Sequence, residues 1–90
     1  MMRLTDEQID AALTDLPGWT RVGEGLNRTY RFADFVAAFA WMTRVALLAE
    51  KADHHPEWSN VYNCVEVRLT THDAGGITLK DIALATAIDA

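Results

Sequence analysis

Three histidines are the residues best suited to chemistry in this 90-residue chain. His54 and His55 are adjacent and are flanked by the carboxylates of Glu50, Asp53 and Glu57. The third histidine follows a strand-like segment and precedes a pair of glycines. Because imidazole exchanges a proton near neutral pH, it is the commonest general acid or base in enzymes. The pattern therefore indicates proton transfer, provided that the fold brings the two histidine segments to one cleft.

Other kinds of chemistry fit the sequence less well. Histidines and carboxylates could ligate zinc, but adjacent histidines point about 100° apart on a helix and no two histidines are four residues apart. We therefore expect no metal. Cys64 opens a strand and has no features of a nucleophile, and no Gly-x-Ser-x-Gly motif is present. Gly75-Gly76 lacks the Lys-Ser/Thr pair of a phosphate-binding loop.

Composition narrows the possible partners and the compartment. A formal net charge of −5 argues against nucleic acid binding. The single cysteine excludes an internal disulfide and favours a reducing compartment. With no signal peptide visible and no apolar run long enough to span a bilayer, we expect a cytoplasmic protein without a membrane partner. Half of the residues are hydrophobic, which is typical of a chain that shares apolar surface with other copies of itself.

The elements that must position the histidines follow from periodicity and caps. Thr5 with Gln8, Asp34, and Thr78 with Asp81 each predict a helix N-terminus. Pro56 is expected to end the central helix, because the residue before a proline avoids the helical conformation. The predicted elements are a first helix after residue 5, strands 19–22 and 26–32, a helix over 35–53, strands 58–62 and 64–71, and a last helix after residue 78.

The order α-β-β-α-β-β-α predicts a two-layer α+β fold, in which three helices lie on one face of a four-stranded antiparallel sheet. Apolar and polar residues alternate over 64–71, as in an antiparallel strand with one buried face. We expect one domain over residues 1–90. The central helix is apolar around much of its circumference, which predicts that one side meets the sheet and the other meets a helix or another subunit.

Two runs of fixed residue types at fixed gaps resemble the pterin-4a-carbinolamine dehydratase family. The runs are Glu50-x-x-x-His54-His55-Pro56-Glu57-Trp58-x-Asn60-Val61-Tyr62-Asn63 and Val65-x-Val67-x-Leu69-Thr70-Thr71-His72-Asp73-x-Gly75-Gly76-Ile77-Thr78-x-x-Asp81. The likeness is detailed over the C-terminal half. The N-terminal half agrees in architecture, from the end of the first helix to the start of the central one.

The resemblance implies an enzyme, a 4a-hydroxytetrahydrobiopterin dehydratase, that acts in tetrahydrobiopterin recycling. Its substrate would be a 4a-hydroxytetrahydropterin, made when an aromatic amino-acid hydroxylase uses tetrahydropterin and oxygen, and its product a quinonoid dihydropterin. The reaction requires one acid and one base, with no cofactor. Family members are homo-oligomers, so the resemblance also implies a homodimer or homotetramer.

The resemblance further implies roles for individual residues. The catalytic set is His54, His55 and His72, with His55 the principal acid or base at the C4a hydroxyl. The substrate-binding set is Glu50, Pro56, Trp58, Thr70, Thr71, Asp73 and Asp81. In this set, Glu50 would orient a histidine or accept a proton. Pro56 and Trp58 would pack against the flat pterin ring, and backbone groups over 70–73 would hydrogen-bond to its pyrimidinone edge.

Simpler interpretations of these residues stay open at this point. Glu50 is also expected on the exposed last turn of the helix, and Asp81 as the capping partner of Thr78. The alternative function is a non-catalytic pterin- or protein-binding module of the same fold, linked to molybdopterin metabolism. A neighbouring aromatic amino-acid hydroxylase gene would favour recycling over that alternative.

Overall fold

A computed structural model describes residues 1–90. It contains three helices, four strands and one short 3-10 turn. In chain order these are α1 (Asp6–Leu13), β1 (Thr20–Val22), β2 (Gly25–Arg31), α2 (Phe35–Ala52), β3 (Glu57–Val61), β4 (Cys64–Leu69), the 3-10 turn (His72–Ala74) and α3 (Leu79–Asp89).

The four strands form one antiparallel sheet in the order β1-β2-β4-β3. The two hairpins meet where β2 pairs with β4, from Leu26 opposite Leu69 to Arg31 opposite Cys64. The predicted α+β fold, with its antiparallel sheet and three helices, is confirmed. β3 and β1 are the edge strands, so the segment that follows the histidine pair lies at one border of the sheet.

The core lies between the sheet and the helices. Alternate residues of β4, Val65, Val67 and Leu69, are buried, as their alternation with polar residues predicts. Both α2 and α3 contribute fully buried side chains to this core, and larger side chains of α2 pack against it. The fully packed residues of the two helices are Ala38, Val45 and Ala49 of α2 and Leu84, Ala85 and Ile88 of α3.

The predicted helix caps are present. Thr5 and Thr78 each form a capping box, with Gln8 and Asp81 respectively, and Asp34 Oδ1 accepts a hydrogen bond from the Ala37 N–H. These side chains satisfy amide groups that the first turn of a helix leaves without partners. Local sequence therefore determines where all three helices begin.

α2 ends within one residue of the predicted position, but the residue that ends it is not the predicted one. The helix ends at Ala52, and Asp53 adopts the left-handed conformation with φ of 51°. The His54 N–H donates to the Ala49 carbonyl and the Asp53 N–H to the Glu50 carbonyl, which is the Schellman arrangement. The expectation that Pro56 ends the helix is wrong, since the chain has already turned three residues earlier.

Only one side of α2 is covered within the chain. The side toward the sheet is buried, as predicted. On the opposite side Phe35, Val36, Phe39 and Leu47 are exposed, and the rings of Phe35 and Phe39 lie 5.8 Å apart between centroids. Despite this apolar surface, neither α2 nor another helix is long and apolar enough to cross a membrane.

Strand boundaries shift by one or two residues from the prediction. β3 begins at Glu57, and β4 ends at Leu69 instead of continuing to residue 71. Thr71 leaves the strand and forms two backbone hydrogen bonds with Gly76. This pair closes the base of the loop that contains the 3-10 turn, and the loop carries His72.

A second polar cluster joins the end of α3 to the sheet, away from the histidines. Asp89 accepts hydrogen bonds from Trp19 Nε1 at 2.7 Å, Arg28 Nη1 at 2.9 Å and the Tyr30 hydroxyl at 2.6 Å. Burial, and then the bond to Asp89, raise the pKa of Tyr30 well above its ordinary value. The Arg44 guanidinium also donates to the Ile88 carbonyl at 3.0 Å.

Candidate active site

Each of the three histidines makes a contact between its Nε2 atom and one carboxylate. His54 lies 2.5 Å from Asp81, His55 lies 2.8 Å from Glu50, and His72 lies 3.1 Å from Glu57. A carboxylate accepts hydrogen bonds and orients the imidazole that donates to it. All three imidazoles therefore have the partner that proton-transfer chemistry requires, although their surroundings differ greatly.

The His54–Asp81 pair is buried. The side chain of His54 is 10% exposed and that of Asp81 is 0% exposed. Asp81 Oδ2 also accepts from the Thr71 hydroxyl at 2.8 Å and from the Thr78 N–H at 2.9 Å. A carboxylate only accepts hydrogen bonds, so the His54 nitrogen that faces Asp81 must carry a proton. His54 therefore donates through Nε2–H, and Nδ1 is the nitrogen that does not contact Asp81.

Asp81 has two structural roles, of which only the helix cap was predicted. It completes the capping box of α3 with Thr78, and it holds a histidine 27 residues away. Thr71, whose hydroxyl also lies 2.8 Å from that of Thr78, connects the end of β4 to the same carboxylate. A buried charge is tolerated only when it is paired and hydrogen-bonded, and this network meets that condition.

The His55–Glu50 pair is exposed. The side chains are 57% and 79% exposed, and Glu50 lies on the last turn of α2. The left-handed conformation of Asp53 ends the helix just before the histidine pair, so the two histidines lie in different environments. His54 is thereby directed inward to Asp81, whereas His55 remains beside solvent and returns to the helix surface.

The His72–Glu57 pair lies where the 3-10 turn approaches the first residue of β3. The side chain of His72 is 77% exposed and that of Glu57 is 49% exposed. Glu57 Oε2 is also 3.7 Å from Nε of Arg68, its cross-strand neighbour. Sequence reasoning treated Glu57 only as a flank of the histidine pair. Its contact with His72 depends on strand register, which no local signal reveals.

The remaining predicted residues make contacts outside these pairs or are exposed. Trp58 is half-buried and packs against the hydrophobic core, and Pro56 is also half-buried. The Thr70 hydroxyl donates to the Glu24 carbonyl at 2.6 Å. Asp73 is exposed beside His72 in the 3-10 turn. No three His, Cys, Asp or Glu side chains gather in an arrangement that could hold a metal ion.

Comparison with known proteins identifies the family. Residues 2–90 match the family described as pterin 4 alpha carbinolamine dehydratase. The chain belongs to the pterin-4a-carbinolamine dehydratase family. The predicted resemblance is thus confirmed over almost the whole chain, including the N-terminal half, where the sequence alone showed only similar architecture.

Relatives within this dehydratase family are close in sequence and in structure. A protein of Rhodopseudomonas palustris is 61% identical over 98% of this chain and 89% of its own length, and one of Nitrobacter winogradskyi is 58% identical with the same coverage. Both carry the provisional name pterin-4-alpha-carbinolamine dehydratase. A crystal structure from Brucella melitensis, described as a transcriptional coactivator/pterin dehydratase, is 46% identical and superimposes with a TM-score of 0.93 over 97% of this chain and 95% of its own.

Proposed function

We propose that this protein dehydrates 4a-hydroxytetrahydropterin to quinonoid dihydropterin by general acid and base catalysis at histidine. The observation that carries the proposal is the pairing of every histidine with a carboxylate through Nε2. Such pairing is what positioned acids and bases require. Membership of the dehydratase family supports the same reaction.

The proposed reaction is a proton-assisted loss of water. An acid donates a proton to the C4a hydroxyl, and the C4a–O bond breaks as water leaves. A base removes the proton from N5, and the electron pair of that bond forms the C4a–N5 double bond. One proton is given and one is taken, with no change of oxidation state, so the reaction itself calls for neither a metal nor a redox cofactor.

His55 is the proposed acid or base at the C4a hydroxyl. It is accessible to a ligand, and Glu50 at 2.8 Å can accept or return a proton through it. A group that exchanges protons with substrate must reach the reacting atom. His54 and His72 would hold the ring and assist at its other side, with Asp81 fixing the orientation of His54.

The residues next to these histidines in the chain are proposed to bind the flat pterin ring. Pro56 and the accessible part of Trp58 would form a wall for the ring. Backbone groups of residues 70–73 would bond its pyrimidinone edge, because the chain leaves β4 there and its amides are no longer all engaged in the sheet. Asp73 lies at the open end of that segment.

We assign this activity to tetrahydrobiopterin recycling in the cytoplasm, functionally linked to an aromatic amino-acid hydroxylase. The hydroxylase is the class of enzyme that makes the proposed substrate. The compartment is supported by the single cysteine, Cys64, which is not in a disulfide. Neither the acidic balance of the chain nor its helices favour a nucleic acid or membrane partner.

We also propose that the protein is a homodimer or homotetramer that associates through the open side of α2. Phe35, Val36, Phe39 and Leu47 lie on that side with between 46% and 74% of each residue exposed. Clustered apolar side chains of this size are unusual on the surface of a monomer. A second copy of α2 would bury them, as helices do in bundles.

The decisive experiment follows the decay of the 4a-carbinolamine by ultraviolet absorbance. A hydroxylase generates the substrate, and the purified protein is then added. We expect acceleration above the spontaneous rate, with loss of that acceleration in the His54→Ala and His55→Ala variants. A folded protein that gives no acceleration would contradict the proposal.

The second candidate function is a non-catalytic pterin- or protein-binding module, with molybdopterin metabolism as one setting. The exposed side of α2 favours protein binding, and the Brucella melitensis relative is described as both a coactivator and a dehydratase. A protein that binds pterin tightly without accelerating the decay of the carbinolamine would support this candidate over the first.

A further inference from the structure

Thr71 joins the segments that carry two of the three histidines. It is the last residue before the loop 72–76, which carries His72, and its side chain lies in the buried network around Asp81. The residue is 8% exposed. Its hydroxyl is therefore engaged in the interior of the protein, whereas only its backbone was assigned to a bound ring.

The hydrogen atoms of this network can be placed in one way. The Asp81 carboxylate only accepts hydrogen bonds, so the Thr71 hydroxyl, 2.8 Å from Oδ2, must donate to it. The Thr78 hydroxyl, 2.8 Å from that of Thr71, then donates to Thr71 and accepts from the Lys80 N–H at 3.2 Å. No buried side-chain nitrogen or oxygen atom lacks a hydrogen-bond partner. The network is thus complete, and a complete buried network is rigid.

The backbone of the same residue holds the base of the loop. The Thr71 N–H donates to the Gly76 carbonyl at 3.0 Å, and the Gly76 N–H donates to the Thr71 carbonyl at 3.2 Å. The Ala74 N–H also donates to the Thr71 carbonyl, at 3.1 Å. Side chain and backbone together therefore connect the loop to the carboxylate that holds His54.

The other side-chain contacts of the loop are exposed. Arg3 Nη1 donates to the Gly75 carbonyl at 3.4 Å. His72 lies 3.1 Å from Glu57, and 77% of its side chain is exposed. Exposed charged contacts of this kind contribute little to stability. The buried hydroxyl of Thr71 is therefore the main side-chain anchor of the loop.

We propose that Thr71 is a positioning residue that couples the orientation of His54 to the placement of His72. One oxygen of Asp81 contacts His54 and the other accepts from Thr71, so a shift at the base of the loop reaches the imidazole through a single carboxylate. This inference rests on the proposed function, because it takes both histidines to act on one substrate.

Thr71→Val tests the coupling, because valine is close to threonine in shape and lacks the hydroxyl. Thr78→Val is the matched control. It removes a buried hydroxyl from the same network, but Thr78 lies outside the loop and its loss leaves the bond from Thr71 to Asp81 in place. Thr71→Ser keeps the hydroxyl, so it should restore the behaviour of the wild-type protein.

Amide hydrogen exchange, followed by NMR, measures the coupling without substrate. The reporter is the Gly76 N–H, and its exchange is compared with that of the Val67 N–H in β4, which reports on global unfolding. Relative to Val67, we expect Thr71→Val to speed exchange at Gly76 by about tenfold or more, and Thr78→Val by less than about threefold.

His54→Ala provides a second measurement that needs no change at position 71. Coupling between two sites acts in both directions, so loss of His54 should also speed exchange at Gly76 relative to Val67. The same substitution should have no further effect in the Thr71→Val background. Unchanged exchange at Gly76 in His54→Ala overturns the coupling, even where Thr71→Val does not fold.

Dehydration kinetics test the consequence for the reaction. His72→Gln should lower kcat/KM by about tenfold or more in the wild-type and Thr78→Val backgrounds. In Thr71→Val it should lower kcat/KM by about threefold or less, because His72 is already displaced there. A merely structural role of Thr71 predicts the same effect of His72→Gln in every background, and that result overturns the coupling.

Failure of the coupling is distinguishable from failure of the proposed function. A protein that accelerates carbinolamine decay, but shows equal exchange at Gly76 in both valine variants, retains the function and loses the coupling. Exchange that depends on Thr71, in a protein without acceleration, retains the coupling of the two segments and supports the binding-module function instead. Circular dichroism of each variant verifies that it is folded.

Discussion

The His54–Asp81 and His55–Glu50 pairs contain neighbouring histidines and the same chemical groups, but they differ in almost every physical respect. The first is buried and forms part of a network with two threonines. The second is exposed, and its two side chains hydrogen-bond only with each other. A buried carboxylate can fix an imidazole rigidly, whereas an exposed one leaves it free to exchange protons with a ligand. This difference in burial supports the proposal that His54 serves mainly for positioning and His55 for reaction.

The largest effect on stability should follow from Asp81→Asn. The amide nitrogen cannot accept hydrogen bonds, so at least one of the donors from His54, Thr71 and Thr78 would lose its partner in a buried site. We expect the free energy of unfolding to fall by about 3 kcal/mol, measured by urea denaturation.

Glu50→Gln is the matched change in the exposed pair, and it should cost less than about 0.5 kcal/mol. Equal destabilisation by the two substitutions would show that the difference in burial has no energetic consequence, and the comparison would then fail.

The largest effect on activity without loss of fold should follow from His55→Ala. We expect kcat/KM for carbinolamine dehydration to fall by about 100-fold or more, since a general acid or base typically contributes that much. Unfolding by urea should remain close to wild type, because the side chain is 57% exposed. His54→Ala should instead lower both activity and stability, and turnover near wild type in His55→Ala would contradict the assigned roles.

A change on the open side of α2, near the exposed pair, tests the proposed assembly. Leu47 is 69% exposed and lies one helical turn before Glu50. Leu47→Arg should dissociate the oligomer, because it places a charge in an apolar interface. Sedimentation velocity should show a smaller species than wild type, while Lys51→Arg should not change the mass. A wild-type protein that sediments as a monomer would contradict the proposed assembly.

A smaller effect than that of Asp81→Asn concerns Tyr30, in the polar cluster away from the histidines. Its raised pKa means that the folded protein holds the phenolic proton more strongly than the unfolded chain. The resulting stabilisation is complete below the ordinary pKa of 10.0 and is lost as pH rises above it. Tyr30→Phe should cost about 1 kcal/mol at neutral pH.

The same variant should weaken the decline in stability between about pH 10 and 12. Urea denaturation of both proteins across that range is the measurement. A wild-type curve as flat as that of the variant would show that Tyr30 does not contribute to alkaline unfolding.

Sequence determined the parts of this fold that depend on neighbouring residues. The capping residues Thr5, Asp34 and Thr78 act within three positions of themselves, and the alternation in β4 reflects one buried face. The end of α2 was predicted to within one residue, but its cause was missed, because Asp53, which is not glycine, adopts a left-handed conformation. Because positive φ is uncommon for residues other than glycine, sequence propensity did not predict this conformation at Asp53.

The candidate site was predictable as a set of residue types but not as a set of contacts. The histidines and Asp81 were identified by a family motif. The pairing of His54 with Asp81 spans 27 residues, and that of His72 with Glu57 spans 15. Both depend on how the last helix and the strands come together, so tertiary packing decides them. Glu57 was therefore overlooked as a partner of His72.

The left-handed turn at Asp53 has a consequence for comparing related chains. Because of this turn, the number of residues between Glu50 and the histidine pair determines which histidine points inward. One residue more or fewer would exchange the inward and outward positions, or would separate His55 from the carboxylate of Glu50. A relative could keep every residue type and still lose the arrangement through a single insertion there. In an alignment of related chains, a gap at this end of α2 would therefore indicate loss of the proposed histidine arrangement more strongly than many substitutions elsewhere.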